Sequence, residues 1–102
     1  MELSVYITTP SREAADKIAM LLVKERFAAC ANVFPIRSVF LWDGKIRKAK
    51  EYAIIAKTKK SLFPLLGKTV KHIHPDAVPC IAAFPIVTGN KKYLEWIRKE
   101  TK

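Results

Sequence analysis

Both histidines and one of the two cysteines of this chain fall in a single stretch, His72-Ile73-His74-Pro75-Asp76-Ala77-Val78-Pro79-Cys80. An imidazole and a thiolate together suit soft or borderline cations, Cu(I) or Zn(II), better than hard ions. His74 and Cys80 are therefore the candidate metal ligands. Two prolines set their geometry. Pro75 disfavours helical backbone at His74, and Pro79 does the same at Val78. The spacing predicts a helix that stops at about His74 and an extended segment from Val78, which could bring imidazole and thiol together at one subunit edge.

Each of these side chains also has a plainer reading. His74 fits a hydrogen-bonded interface histidine as well as a ligand. His72 sits on the helix side and faces water. Cys80 and Cys30 each fall in an apolar strand, where a free cysteine packs as a small hydrophobe. No C-x-x-C or H-x₃-H spacing accompanies them, so a closed zinc site within one chain is not encoded. Any site is partial, or shared between subunits. No glycine-rich phosphate loop and no nucleophile–base motif is present. Asp76 near His74 could orient an imidazole, but that pair alone makes no catalytic site. The chain reads as non-enzymatic, with no catalytic residue and no required cofactor.

The formal net charge is +10, from 19 Lys and Arg against 9 Asp and Glu. Such a surface attracts polyanions, or simply keeps the protein solvated. A basic nucleic-acid-binding module is the alternative function, although the aromatic signature of an RNA-recognition sheet is missing. Nucleic-acid binding by lysine blocks alone would be non-specific and salt-sensitive. At 102 residues the chain predicts one domain, 1–102. The opening residues do not resemble a signal peptide, and no apolar run is long enough to span a bilayer. Cytoplasmic location with two reduced thiols is the expectation.

The elements that position these groups are legible in the patterning. Leu3, Val5 and Ile7 alternate with Ser4, Tyr6 and Thr8 as a half-buried strand. Ser11 caps a helix to about Arg26, with Ala15, Ile18, Ala19 and Leu22 as its apolar stripe. Ala28 to Trp42 reads as one long strand, and Asp43-Gly44 as a type I′ turn into a return strand, Lys45 to Thr58. That turn sets Leu41 opposite Ile46, Ile36 opposite Glu51 and Cys30 opposite Lys57. Pro35 suggests a bend or bulge. Strands average about 5–6 residues, so this hairpin outgrows a small core. Its distal end, with Phe40, Leu41 and Trp42, would be exposed in a monomer and invites another chain. Ser61 and Pro64 open a second helix with Leu62, Leu65, Leu66, Val70 and Ile73 inward. A nearly all-apolar strand follows from Val78 to about Phe84, expected to be buried on both faces or in an interface. Asn90 caps a last helix that packs through Tyr93, Leu94, Trp96 and Ile97. The order β-α-β-β-α-β plus a C-terminal helix is an α+β, ferredoxin-like split βαβ sandwich, with helices on one face of an antiparallel sheet.

The assembled segments resemble one family. Glu25-Arg26-Phe27-Ala28-Ala29-Cys30-Ala31-Asn32-Val33, Trp42-Asp43-Gly44-Lys45-Ile46, Glu51, Lys57-Thr58, His74-Pro75, Val78-Pro79, Gly89-Asn90 and Tyr93-Leu94-Glu95-Trp96-Ile97 are similar, in order and spacing, to the CutA (CutA1, divalent-cation tolerance) family. The resemblance implies a PII-like homotrimer built from long strands, with Phe40, Leu41 and Trp42 in the subunit interface. It also implies a role in the response to divalent metals, copper above all, without catalysis. The family usually has Tyr, an acidic residue and Glu where this chain has Asp76, Ala77 and Cys80. His74 is retained, and a thiol in place of a carboxylate implies a softer site.

Overall fold

The computed structural model describes residues 1–102. Strand β1 (Glu2–Thr9) leads to helix α1 (Arg12–Lys24), then to the paired strands β2 (Cys30–Trp42) and β3 (Lys45–Lys59). Helix α2 (Phe63–Ile73), strand β4 (Ile81–Pro85) and helix α3 (Lys91–Glu100) complete the chain. The four strands form one sheet in the order β2-β3-β1-β4, antiparallel throughout. This is the split βαβ arrangement expected from the element order.

Alternation along β1 and β3 sends one set of side chains under α1 and α2. Leu3, Val5 and Ile7 meet Ile54 and Ala56, and above them lie Ala15, Ile18 and Leu22 of α1 with Leu66 and Val70 of α2. Truncating a fully buried member such as Ile54 to alanine costs about 2–5 kcal/mol at sites of this kind.

The hairpin follows the register that its turn dictates. Asp43 and Gly44 both take positive φ, 52° and 72°, as a type I′ turn requires. Leu41 faces Ile46, Ile36 faces Glu51 and Cys30 faces Lys57. Pro35 makes no bulge: it pairs with Tyr52 in an unbroken register. β2 is an edge strand, and a proline is tolerated there because its missing donor can fall on the unpaired side.

Three other expectations are corrected. Helix α1 ends at Lys24, because Arg26 turns left-handed with φ 62°. Its guanidinium then donates to the carbonyls of Lys99 and Glu100, both at 3.1 Å. A cation there also complements the negative end of the α3 dipole. Ser61 does not cap α2; it lies inside a 3₁₀ turn, Lys60–Leu62, and Leu62 precedes the helix without a side-chain cap. The last strand starts at Ile81 rather than Val78, and it is not buried on both faces, since Ala82 and Phe84 are exposed. The ladder closes at Thr8 opposite Cys80: the Thr8 N–H donates to the Cys80 carbonyl at 3.4 Å, while the Thr8 carbonyl accepts from His74 Nε2 at 2.7 Å in place of a strand amide.

Helix α3, whose side of the sheet its apolar stripe leaves open, does not join the other two helices. Glu2 and Lys59 point away from the α1–α2 core. Glu2 is ion-paired to Arg98 Nη1 at 2.9 Å, while Lys59 Nζ donates to the carbonyls of Arg98 and Thr101. So α3, capped by Asn90 accepting from the Tyr93 amide, covers the opposite side of the sheet and buries Ile97 there.

Candidate functional site

Helix α2 ends where Pro75 dictates. His74 leaves the helix with extended backbone, φ −73° and ψ 134°, and its side chain turns inward to 8% exposure. The Asp76 backbone N–H donates to His74 Nδ1 at 3.0 Å, so that nitrogen accepts. The other, Nε2, then carries the hydrogen and donates to the Thr8 carbonyl at 2.7 Å. The contact from Asp76 is made by its backbone, not by its carboxylate. His74 thus ties the end of α2 to β1, across 66 positions of sequence. Cys80 reaches the same residue through its own carbonyl, which accepts from Thr8 N–H. Both sequence-predicted ligands thus contact Thr8, His74 through its imidazole and Cys80 through its backbone carbonyl rather than its thiol.

The Cys80 side also opens onto a groove of about 660 Å³. One wall is the distal hairpin, with Phe40, Trp42, Arg47 and Glu51; the other carries Asp76 and Cys80. The groove therefore joins a candidate ligand to two of the three candidate interface residues. Leu41 projects from the other face of the ribbon and is 70% exposed. His72 is exposed on the last turn of α2. Nowhere do three or more His, Cys, Asp or Glu side chains gather as a metal-binding group. With both nitrogens of His74 engaged, a cation at Cys80 has to exchange the Asp76 bond or draw ligands from another copy.

A second cluster escaped the reading of single residues. Cys30 and Lys57 face each other across the hairpin, with Lys57 Nζ 3.9 Å from the sulfur and also bonded to Asn32 Oδ1. Tyr93, in the first turn of α3, lies against the same sulfur. Its phenol is raised above its ordinary value by burial first, then by the charge and hydrogen bond of Cys30. Stability held by this phenol is fully present below the unfolded value, about 10, and is lost as pH rises through the folded one. In a difference titration of tyrosine absorbance, wild type minus Tyr93→Phe, the midpoint is expected above 10. A midpoint at or below 10 would show that the phenol is not held against Cys30. The hairpin register already paired Cys30 with Lys57; only the placement of α3 adds Tyr93.

An open four-stranded antiparallel sheet in split βαβ order, with one hairpin far longer than its core, defines a ferredoxin-like protein with a projecting β-arm. Comparison with known proteins narrows this to a family. The family described as CutA1 divalent ion tolerance protein matches residues 3–100. The divalent-cation tolerance protein CutA of Archaeoglobus fulgidus is 47% identical over 93 residues, 91% of each chain. That of Thermus thermophilus is 45% identical over 102 residues, 99% of each. The solved Thermus structure superimposes with a TM-score of 0.97 over the whole of both chains. An Archaeoglobus fulgidus structure described as a periplasmic divalent cation tolerance protein, 44% identical, also gives 0.97 over both whole chains. The chain belongs to the CutA1 divalent ion tolerance family. The alternative of a nucleic-acid-binding module finds no support in these relatives. No helix is long and apolar enough to cross a membrane.

Proposed function

We propose that this chain acts as a homotrimeric, non-catalytic divalent-cation tolerance protein of the cytoplasm. The observation that carries the assembly is the hairpin arm. Beyond Glu51 no helix covers it, its β2 edge is unpaired, and Phe40, Leu41 and Trp42 at its end are 42%, 70% and 48% exposed. Pairing that edge and covering that tip with two further copies removes both liabilities at once. Phe40, Leu41 and Trp42 are the interface residues under this reading. The response to metal is assigned to the groove that the tip shares with Cys80. Copper, as Cu(I), or Zn(II) is its cargo, with Cys80 as the thiolate ligand and His74 exchanging its Asp76 bond for the cation. No resident cofactor is required.

Two ligands from one chain bind weakly, and the trimer is what supplies more. Titration of the reduced protein with Zn(II), and with Cu(I) against a competing chelator, is expected to give modest affinity. Cys80→Ser and His74→Ala should each weaken it. Affinity should also fall as pH drops, because the binding forms are thiolate and neutral imidazole. Equal affinity in all three proteins, or none in the wild type, removes the metal assignment. The trimer assignment is left standing, because it is read from mass.

A further inference from the structure

Glu2 carries an oxygen that nothing in the fold uses. Its side chain is 7% exposed and pairs with Arg98 through Oε1, while Oε2 is buried without a hydrogen-bond partner. A buried carboxylate oxygen left so is costly and calls for a donor. Glu2 also lines an open pocket of about 540 Å³, whose other polar side chains are Lys59, Lys60, Ser61 and Arg98. Three cations against one carboxylate give these side chains a net charge of +2. Their donors are not used up. Lys60 is exposed, and Lys59 Nζ spends two of its three hydrogens on carbonyls at 3.4 Å. Arg98 gives Nη1 to Glu2 and keeps its remaining N–H groups. Ser61 lies in the 3₁₀ turn that leads into α2, and neither that turn nor the helix has a side-chain cap. Such a start is short of acceptors and positive in sign.

We propose that this pocket binds inorganic hydrogen phosphate, HPO₄²⁻, and that the ligand's own hydroxyl donates to Glu2 Oε2. The surrounding cations ask for an anion, and the orphaned oxygen asks that the anion carry a hydrogen. The dianion matches the net charge of the pocket. Its three unprotonated oxygens accept from Lys59, Lys60 and Arg98, and charge-assisted bonds of this kind are the strong ones. Arg98, whose side chain is 50% exposed, is the wall that yields as the hydroxyl moves in to Oε2. Sulfate has the same shape and charge but no hydrogen, so Oε2 stays unpaired and repels it. A phosphate monoester above its second pKa, about 6, stands in the same position as sulfate. The carboxylate therefore selects the free inorganic ion over both.

The full-length protein is titrated calorimetrically with inorganic phosphate, sulfate and methyl phosphate at about pH 8 and matched ionic strength. There inorganic phosphate keeps one hydrogen and methyl phosphate keeps none. Phosphate is expected to bind about tenfold or more tighter than either, the cost of leaving one buried acceptor unpaired. Lys60→Met leaves the Glu2–Arg98 pair in place and should weaken phosphate about tenfold, as loss of one charge-assisted hydrogen bond implies. Glu2→Gln supplies an amide that can donate, so sulfate should gain and the gap between the two anions should close. Absence of phosphate binding, equal binding of sulfate or methyl phosphate by the parent chain, or unchanged phosphate affinity in Lys60→Met overturns the proposal. So does a gap that survives Glu2→Gln. Thermal melts show whether each variant is folded; if Glu2→Gln is not, the parent chain's preference and Lys60→Met still decide.

Discussion

Phe40→Asp combined with Trp42→Asp is expected to leave a monomer of about 11.6 kDa where the parent chain gives about three times that mass. The two rings stand on one face of the hairpin arm and line the same groove. Fully burying a large apolar side chain contributes about 1.5–3 kcal/mol, and each ring is already half covered, so assembly gains about 1 kcal/mol per ring. Six rings in a trimer then contribute about 6 kcal/mol, or roughly four orders of magnitude in the association constant. Aspartates add to the loss, because a carboxylate without a partner cannot be buried cheaply. Light scattering at micromolar concentration reads the result. A parent chain that is itself monomeric, or a variant of unchanged mass, refutes the assembly. Leu41→Asp probes the opposite face of the arm and reports whether the neighbouring copy grips one side of it or both.

The second large effect is expected from His74→Ala, in the absence of any metal. The imidazole makes two hydrogen bonds while 8% exposed, and it joins α2, the following loop and β1. Each such bond is worth about 0.5–1.5 kcal/mol net, and groups left without partners add to that. A loss of about 2–3 kcal/mol follows, large against the 5–15 kcal/mol that holds a typical domain folded. At fixed protein concentration the melting temperature should drop by roughly 10–20 °C. Denaturation in a chelator and in excess Zn(II) separates the two roles of this residue. A tie between α2 and β1 costs the same in both. A residue that matters only as a ligand shows its cost only with the metal present, because binding to the folded state is then lost. A change of under about 0.5 kcal/mol in chelator would put His74 among ordinary surface positions.

The hairpin was legible because its information is local. Asp43-Gly44 permits a two-residue turn, and once the turn is set every pair out to Cys30 and Lys57 follows by counting. The stop of α2 at Pro75 is local in the same way, as is Asn90 capping α3. The misread boundaries mark places where a neighbour decides. Val78 and Pro79 look like strand, but a strand exists only where a partner accepts its bonds, and the Thr8 carbonyl that would accept from the Cys80 N–H is taken by His74 Nε2. Ser61 is a good cap by type, yet the chain enters α2 through a 3₁₀ turn that places it elsewhere.

By itself, then, the sequence determined the element order, the hairpin register, the overlong arm with Phe40, Leu41 and Trp42 at its end, and the family. It also picked out His74 and Cys80 as the residues whose chemistry was worth locating. Tertiary structure alone decided what those residues touch. A stripe of apolar residues on α3 says that the helix packs, not on which side of the sheet; that choice put Tyr93 against Cys30 and Arg98 against Glu2. His74 and Thr8 are 66 positions apart, and nothing in either neighbourhood names the other. Propensity, capping and turn chemistry act over a few residues. Contacts between distant residues arise only when the layers close on one another, and the partners of His74 and Cys30 were settled at that step.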